Sequence, residues 1–404
     1  MSTIINTPYT LPSGEILNNR IAKAALTERL AGKNRLPNNQ HFQLYDTWAK
    51  GGAGLLISGN IMIDERFVES SGNVCMHHLS PESLFKKWTQ TVVAHGNAFW
   101  AQLNHPGRQA NLFSTTKPLS ASNVQLKKMG FFAKPRPMTE EEIEDVIHRF
   151  VKTANLCRRV GFTGVQLHAA HGYLLSQFLS PRTNKRTDQW GGSIENRARI
   201  LTETIQRMRK LVGGEFSISV KLNSADFQRG GFEEADALYV IKALEALGVD
   251  LLEISGGTYE DFVAFTRTNV KESTLQREAY FLEFAKTVRQ QCSIPIMVTG
   301  GIRSLAFCNE TLAKEEMDIV GFGRPFLLDE RFPAGFLDGT LDRIEEPTIA
   351  VRDPKMLDMA IGGFYDYQIE RLANNKPLDL KYAGWKGALR LSKNEMWKGI
   401  RNKF

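Results

Sequence analysis

GVQLHAAHGYLLSQFLSPRTNKRTDQWGGSIENRAR, residues 164–199, opens on a short apolar run and ends in the first turns of an amphipathic helix. The run Gly164–His168 does not alternate in polarity, so it reads as a strand covered on both faces. The helix predicted over Ser193–Leu211 supplies one of those covers. The same strand-then-helix unit recurs on either side. Further strands are predicted at Ile21–Leu26, Ala53–Ser58, Ala98–Leu103, Ser217–Leu222, Asp250–Ile254, Pro295–Thr299 and Asp318–Gly321. The helices between them fall at Asn38–Lys50, Pro81–His95, Thr139–Val160, Glu233–Leu247, Leu275–Gln291 and Ser304–Ala313, several with proline or acidic residues in the first turn. Eight buried, non-alternating strands with helical crossovers point to the α/β class and a closed parallel (β/α)8 barrel. A doubly wound open sheet needs a glycine fingerprint after its first strand, which is absent. Upstream, TLPSGEIL reads as a hairpin about Ser13–Gly14, placed to plug the barrel bottom. The expected division is a barrel over 1–340 and a helical extension over 341–404.

Composition narrows the function. The chain has 404 residues, 42% hydrophobic and 24% charged, enough for a large core and unlike a disordered chain. No run approaches the ~18 apolar residues of a membrane span, and the N-terminus lacks a basic start followed by an apolar stretch. The four cysteines form no CxxC pair, which argues against a zinc ribbon, an iron–sulfur cluster or a disulfide framework. A soluble cytoplasmic protein is expected. Of the net charge of +7, residues 381–404 carry +6 (five Lys, two Arg, one Glu), so the high pI belongs to a tail and not to a nucleic-acid-binding body. In that tail Trp385, Leu389, Met396, Ile400 and Phe404 share one helical face. The tail is expected to dock on its own domain, with its basic face in solvent. Membrane contact through it is the lesser alternative.

In a barrel of this kind chemistry sits at the C-terminal ends of the strands. His168 ends the fourth strand, and His171 and Tyr173 follow at once in HAAHGY. Two neutral imidazole donors can polarise one oxygen, and a nearby phenol can deliver a proton. A metal site is the weaker reading, because HxxH lacks the glutamate of HExxH and no third ligand is evident. After the last two strands, TGGIRS offers Gly300 and Gly301, and GFGRP offers Gly323 and the cation Arg324, which suits a phosphate. Lys221, at the end of strand five, reads either as a partner for an anionic ligand or as a structural ion pair with Glu253 or Asp226. Gln102, near the end of strand three, can pair with the edge of a pyrimidine-like ring.

In this order the pieces resemble the old yellow enzyme family of FMN-dependent NAD(P)H:flavin oxidoreductases. The run 164–199 looks like that family's signature. NRIAKAALTERL (19–30), AQLNHPGRQ (101–109), VKLNSADFQRGGF (220–232), VTGGIRS and GFGRPFL strengthen the likeness, which covers about residues 5–335. The resemblance implies noncovalent FMN at the barrel mouth, with NADH or NADPH as hydride donor and a small enone-type substrate. It implies that Ala25, Leu26 and Thr27 line the flavin, with Thr27 near O4. Asn60 and Gln102 would meet the ring's polar edge, and Lys221 would lie near N1 and O2. Gly300, Gly301, Gly323 and Arg324 would hold the phosphate. His168 and His171 would bind the substrate oxygen, and Tyr173 would protonate. The activity implied is reduction of activated C=C bonds. The alternatives are a quinone or nitro-compound reductase, an NADH oxidase, or an oxidative dehydrogenase. Outside flavin turnover stand a metal-dependent barrel hydrolase and a protein that only carries FMN. Lys221 stands where many members have Arg. Asn104 stands where the yeast-like branch has Trp, which implies a roomier pocket. The resemblance fixes no oligomeric state.

Overall fold

The computed structural model describes residues 3–127, 132–256, 281–351, 353 and 356–403. Eight parallel strands close into a barrel: β1 (Ile21–Lys23), β2 (Leu55–Met62), β3 (Ala98–Asn104), β4 (Gly164–Ala169), β5 (Ser217–Asn223), β6 (Leu251–Ser255), β7 (Ile296–Thr299) and β8 (Ile319–Phe322). Each pairs with its neighbour in sequence, and β8 returns to β1. Helices α1 (Asn39–Lys50), α2 (Glu82–Val93), α3 (Glu140–Arg159), α4 (Leu174–Leu179), α5 (Ile194–Val212), α6 (Glu234–Ala246) and α7 (Leu305–Ala313) lie in the connections. Their starts follow the capping residues in the sequence. Asn38 accepts from the Gln40 and His41 amides, Thr139 and Glu142 form a capping box, and Ser193 and Ser304 each accept one amide. Of the helix expected over Leu275–Gln291, residues 281–289 are helical and 275–280 lie outside the described residues.

The barrel interior is layered. Ala22, Leu55, Ala98, Trp100, Leu251, Met297 and Ile319 fill its lower end. The expected hairpin, Tyr9–Thr10 against Ile16–Leu17, closes that end and adds Leu11 and Leu17 to the same cluster. Glu15 in its turn accepts from the Trp100 indole at 3.0 Å. Above this apolar floor lies a polar layer, described below. Outside the barrel, Tyr45 and Trp48 of α1 and Trp88 of α2 pack with Phe99. Lys23 is wholly buried there and donates to the Ile57 carbonyl at 2.8 Å. Burial pulls its pKa down to about 8.

Two expectations change. The first strand stops at Lys23, not Leu26. After the Ala24 amide bonds to the Phe322 carbonyl the chain leaves the ladder, so Ala25, Leu26 and Thr27 belong to the loop over the mouth. Asn60 lies inside β2, which continues past a register shift between Ile57 and Asn60 up to Met62.

The tail does dock, but with its apolar stripe outward. After α8 (Phe332–Asp338), α9 (Leu357–Ala373) packs on α1, and α10 (Gly384–Lys403) packs on α9. A Cβ on Gly363 would lie 2.0 Å from the Gly387 carbonyl oxygen, so the two backbones touch at this pair of glycines. Such close approach selects the small face of α10 (Gly384, Gly387, Ala388) for the interface. Trp385, Leu389 and Met396 are left in solvent, together with Trp397. The side chains of Ile400 and Phe404 lie outside the described residues. Among the described residues no helix is long and apolar enough to cross a membrane.

Candidate active site

The polar layer begins at the barrel axis. Gln102 of β3 donates to Gln166 of β4 at 2.7 Å, and Gln166 donates to Glu253 of β6 at 2.8 Å. Glu253 Oε1 then meets Lys221 Nζ of β5 at 2.9 Å. Each is buried, so each polar group needs the next. Of the partners open to Lys221 in the sequence, Glu253 is the one it takes.

At the end of β4 the chain makes a tight turn. His171 (φ 58°) and Gly172 (φ 76°) both occupy the left-handed region, costly for a histidine and a mark of a site that needs the shape. The His171 amide donates to Asn223 Oδ1 at 3.2 Å, and Gln109 donates to its carbonyl at 2.9 Å. The turn folds His171 and Tyr173 back onto His168. The His168 and His171 rings lie 5.1 Å apart, and those of His168 and Tyr173 4.7 Å apart, both edge-on. The Ala170 amide donates to His168 Nδ1 at 3.3 Å, which leaves the proton of the neutral ring on Nε2. His171 Nε2 lies 2.8 Å from the Ser255 hydroxyl. Burial holds His168 well below its usual pKa and brings His171 down to about 3, with Lys221 adding to both shifts and the two rings opposing each other's protonation at His168. Both are therefore neutral near pH 7, each ring keeping one N–H donor for an oxygen. Among the described residues no cluster of three His, Cys, Asp or Glu side chains is placed to hold a metal ion.

Tyr173 caps α4 and is buried; its hydroxyl donates to Glu69 Oε2. Asn60 Nδ2 reaches the same oxygen at 2.7 Å, and the Thr27 hydroxyl reaches Oε1 at 2.7 Å. Thr27, Asn60 and Tyr173, drawn from three separate stretches, thus converge on one carboxylate. Glu69 escaped the sequence reading because it lies in an irregular loop, DERFVESSGN, away from any strand end.

Past β7, Gly300 (φ 140°) and Gly301 (φ 75°) adopt conformations open to glycine, turning the backbone at the mouth. Past β8, Gly323 precedes Arg324. Arg324 meets Glu346 at 3.5 Å, and Arg303 bonds the same carboxylate oxygen. Two guanidiniums around one carboxylate leave a positive excess beside this glycine turn, which suits a phosphate dianion. Glu346 lies in the extension, where no motif marks it. Two buried polar atoms on β2 and β7, Asn60 Oδ1 and Thr299 Oγ1, have no hydrogen-bond partner among the described residues. A polar ring edge would answer them. Asn104 is fully buried, and neither of its amide atoms has a hydrogen-bond partner among the described residues.

The comparisons agree with this geometry. Residues 5–339 match the model of the NADH:flavin oxidoreductase / NADH oxidase family. The chain is 35% identical over 353 residues to the NADH-dependent flavin oxidoreductase iliE of Neonectria sp., covering 81% of this chain and 46% of that longer protein. It is 34% identical over 383 residues to the NADH-dependent flavin oxidoreductase nadA of Aspergillus parasiticus, covering 90% of this chain and 84% of that one. It is 30% identical over 354 residues to the NADPH dehydrogenase of Bacillus pumilus, covering 86% and 98%. Morphinone reductase in complex with tetrahydroNAD superposes with a TM-score of 0.72 at 26% identity, over 85% of this chain and 92% of that one. 2-Naphthoyl-CoA reductase shares the fold, with a TM-score of 0.80 at 24% identity over 92% of this chain and 57% of that one. The chain belongs to the NADH:flavin oxidoreductase / NADH oxidase family of old yellow enzyme-like barrels, enzymes that work with FMN and NAD(P)H.

Proposed function

We propose that the protein reduces the activated C=C bond of α,β-unsaturated carbonyl compounds. The observation that carries this reading is the edge-on cluster of His168, His171 and Tyr173 at the end of β4, with both imidazoles held neutral by burial. FMN, when bound, takes hydride from NAD(P)H and gives it up to the acceptor. Ala25, Leu26 and Thr27 would line it, Asn60 and Gln102 would meet its polar edge, and Lys221 would face its anionic side. Gly300, Gly301, Gly323 and Arg324 would hold its phosphate.

The remaining work falls to the chain's own side chains. His168 donates from Nε2 to the substrate carbonyl oxygen. The Ser255 hydroxyl, donating to His171 Nε2, leaves the second ring's proton on Nδ1 for the same oxygen. Both hydrogen bonds draw electron density from the alkene and make its β-carbon the electrophile. Because neither imidazole is charged, they stabilise the developing enolate without trapping it by proton transfer. Tyr173 delivers the proton to the α-carbon. Lys221 is already half neutralised by Glu253, so it offers a softened point charge where an arginine offers a fork.

The test is anaerobic. The protein is purified yellow, bleached with NADH or NADPH, and then given cyclohexenone. Return of the oxidised flavin spectrum with formation of cyclohexanone is expected. A bleached protein that ignores the enone but reoxidises with a quinone or oxygen would move the activity to that of the relative named NADH oxidase from Thermoanaerobacter brockii.

A further inference from the structure

Glu69 has no part in that reading, yet its side chain is heavily engaged at the mouth. It accepts from the hydroxyls of Thr27 and Tyr173 and from the Asn60 amide. Its backbone is held as firmly. Asn111 donates from Nδ2 to the Glu69 carbonyl at 3.2 Å and from its amide to the Val68 carbonyl at 3.0 Å. The next two residues, through the Ser70 hydroxyl and the Ser71 amide, donate to Glu395 of α10. Arg29 Nε meets the same Glu395 at 3.1 Å. A Cβ on Gly72 would lie 2.3 Å from the Arg29 carbonyl oxygen, so only glycine lets the loops after β1 and β2 close on each other. A half-buried carboxylate fixed on this scale, touching the phenol assigned as proton donor, has a chemical consequence.

We propose that Glu69 is the positioning residue for Tyr173 and returns to it the proton that the substrate takes. This rests on the alkene-reductase reading above. When the α-carbon is protonated, the Tyr173 O–H bond breaks and a C–H bond forms. The phenolate left behind would touch a carboxylate, two anions in contact in a partly desolvated site. That build-up of charge is avoided when Glu69 enters the step as the acid: its O–H bond breaks as the Tyr173 O–H bond re-forms. Glu69 is left as the carboxylate and later takes a proton from water. The electron pair for the new bond at the β-carbon arrives with the hydride from bound FMN, so the sum is one hydride and one solvent proton added across the C=C bond. With Glu69 ionised, the Tyr173 O–H points at the carboxylate and away from the substrate.

The test compares wild type with Glu69→Gln and Glu69→Asp on two acceptors, an enone and a quinone whose reduction needs no carbon protonation. Glu69→Gln is expected to slow enone reduction at least tenfold more than it slows quinone reduction. Glu69→Asp, which keeps the carboxyl group, is expected to recover part of that loss. Equal effects on both acceptors, or an unchanged enone rate, would overturn the proposal. A second readout needs neither cofactor nor turnover. Ultraviolet difference titration against Tyr173→Phe isolates the Tyr173 phenol, which should ionise at least one pH unit lower in Glu69→Gln than in wild type. If it does not, the Glu69 contact is refuted whatever the substrate. If the shift appears but wild type reduces no enone, the alkene-reductase reading fails and the Glu69–Tyr173 coupling stands.

Discussion

Lys221 carries two readings that one pair of variants separates. Its side chain is 6% exposed and that of Glu253 is 0% exposed, with 2.9 Å between charged atoms. Lys221→Met removes the ammonium and leaves a carboxylate on the barrel axis, supported by the Gln166 amide at 2.8 Å. Breaking a buried pair from one side costs about 3–5 kcal/mol, because the survivor keeps its desolvation penalty and loses its compensation. Against a typical total stability of roughly 5–15 kcal/mol, that is a large fraction. Adding Glu253→Gln removes the orphan charge while keeping an oxygen for Gln166, so the double variant should recover to within about 1–2 kcal/mol of wild type. Urea unfolding of the apoproteins, followed by tryptophan fluorescence and circular dichroism, measures both. If single and double variants lose the same stability, the orphan-charge reasoning is refuted. Flavin binding then speaks to the other role. A cation facing the anionic side of reduced FMN should be missed in both variants, as weaker FMN binding and a lower midpoint potential, and most in the single variant, which keeps the Glu253 carboxylate. A double variant with wild-type affinity and potential would make Lys221 a structural residue alone.

Tyr173→Phe should slow reoxidation by an enone by roughly 10²-fold or more while bleaching by NAD(P)H keeps its rate; stopped-flow traces of the two half-reactions decide, and equal losses in both would remove Tyr173 as proton donor. Binding of a simple phenol should stay flat between pH 5 and 8. His171 has a pKa of about 3 and His168 is held well below its usual value, so neither gains a proton in that window. The same depression has a stability consequence with a fixed sign. Both rings stay neutral when folded but protonate when unfolded near pH ~6.5, so their contribution is complete above that value and is lost as pH falls toward 3. Asn104→Leu should raise apoprotein stability by about 1–3 kcal/mol, because the buried amide it replaces has no partner among the described residues; a loss measured by urea unfolding would show that the amide is satisfied.

The barrel was legible because its strands are buried on both faces, so each reads as an apolar run bounded by helix starts. The hairpin was legible from Ser13–Gly14, and its role as a plug follows from Leu11 and Leu17 reaching the lower interior. His168, His171 and Tyr173 were legible because a strand end fixes where they point. The rest depended on contacts that local patterns do not encode. Leu26 is as apolar as a strand residue, but the ladder had ended, which pairing decides and periodicity cannot. The stripe of Trp385, Leu389 and Met396 has the spacing of a buried face, yet the close approach of Gly363 and Gly387 turned α10 the other way. Glu69 and Glu346 sit in irregular chain, and their partners lie at least nine positions away in sequence.

The extension has a consequence for the mouth. The family match ends at residue 339, whereas Glu346, Asp366 and Glu395 lie beyond it. Glu346 meets Arg303 and Arg324, Asp366 meets Arg29 at 3.7 Å, and Glu395 meets Arg29, Ser70 and Ser71. Lys398 also donates to the Arg29 carbonyl. The loop after β1, which carries Thr27, has no regular structure of its own, and the loop after β2, which carries Glu69, has only the short strand Val74–Cys75 paired with Ile61–Met62. Part of their rigidity is therefore supplied by α10. Deleting residues 381–404 should leave the barrel strands protected while the Ser71 amide, which donates to Glu395 at 3.2 Å, loses its partner. Hydrogen exchange at Ser71 should accelerate at least tenfold, equivalent to about 1.4 kcal/mol of lost local stability, with strand amides unchanged. Equal protection of Ser71 in the shortened protein would show that Asn111 and Gly72 fix the loop without the tail. Acceleration everywhere would mean that α10 stabilises the whole barrel and not its mouth. The selective outcome follows from where the contacts lie: each side chain of α10 named here reaches a loop residue, and none reaches a barrel strand.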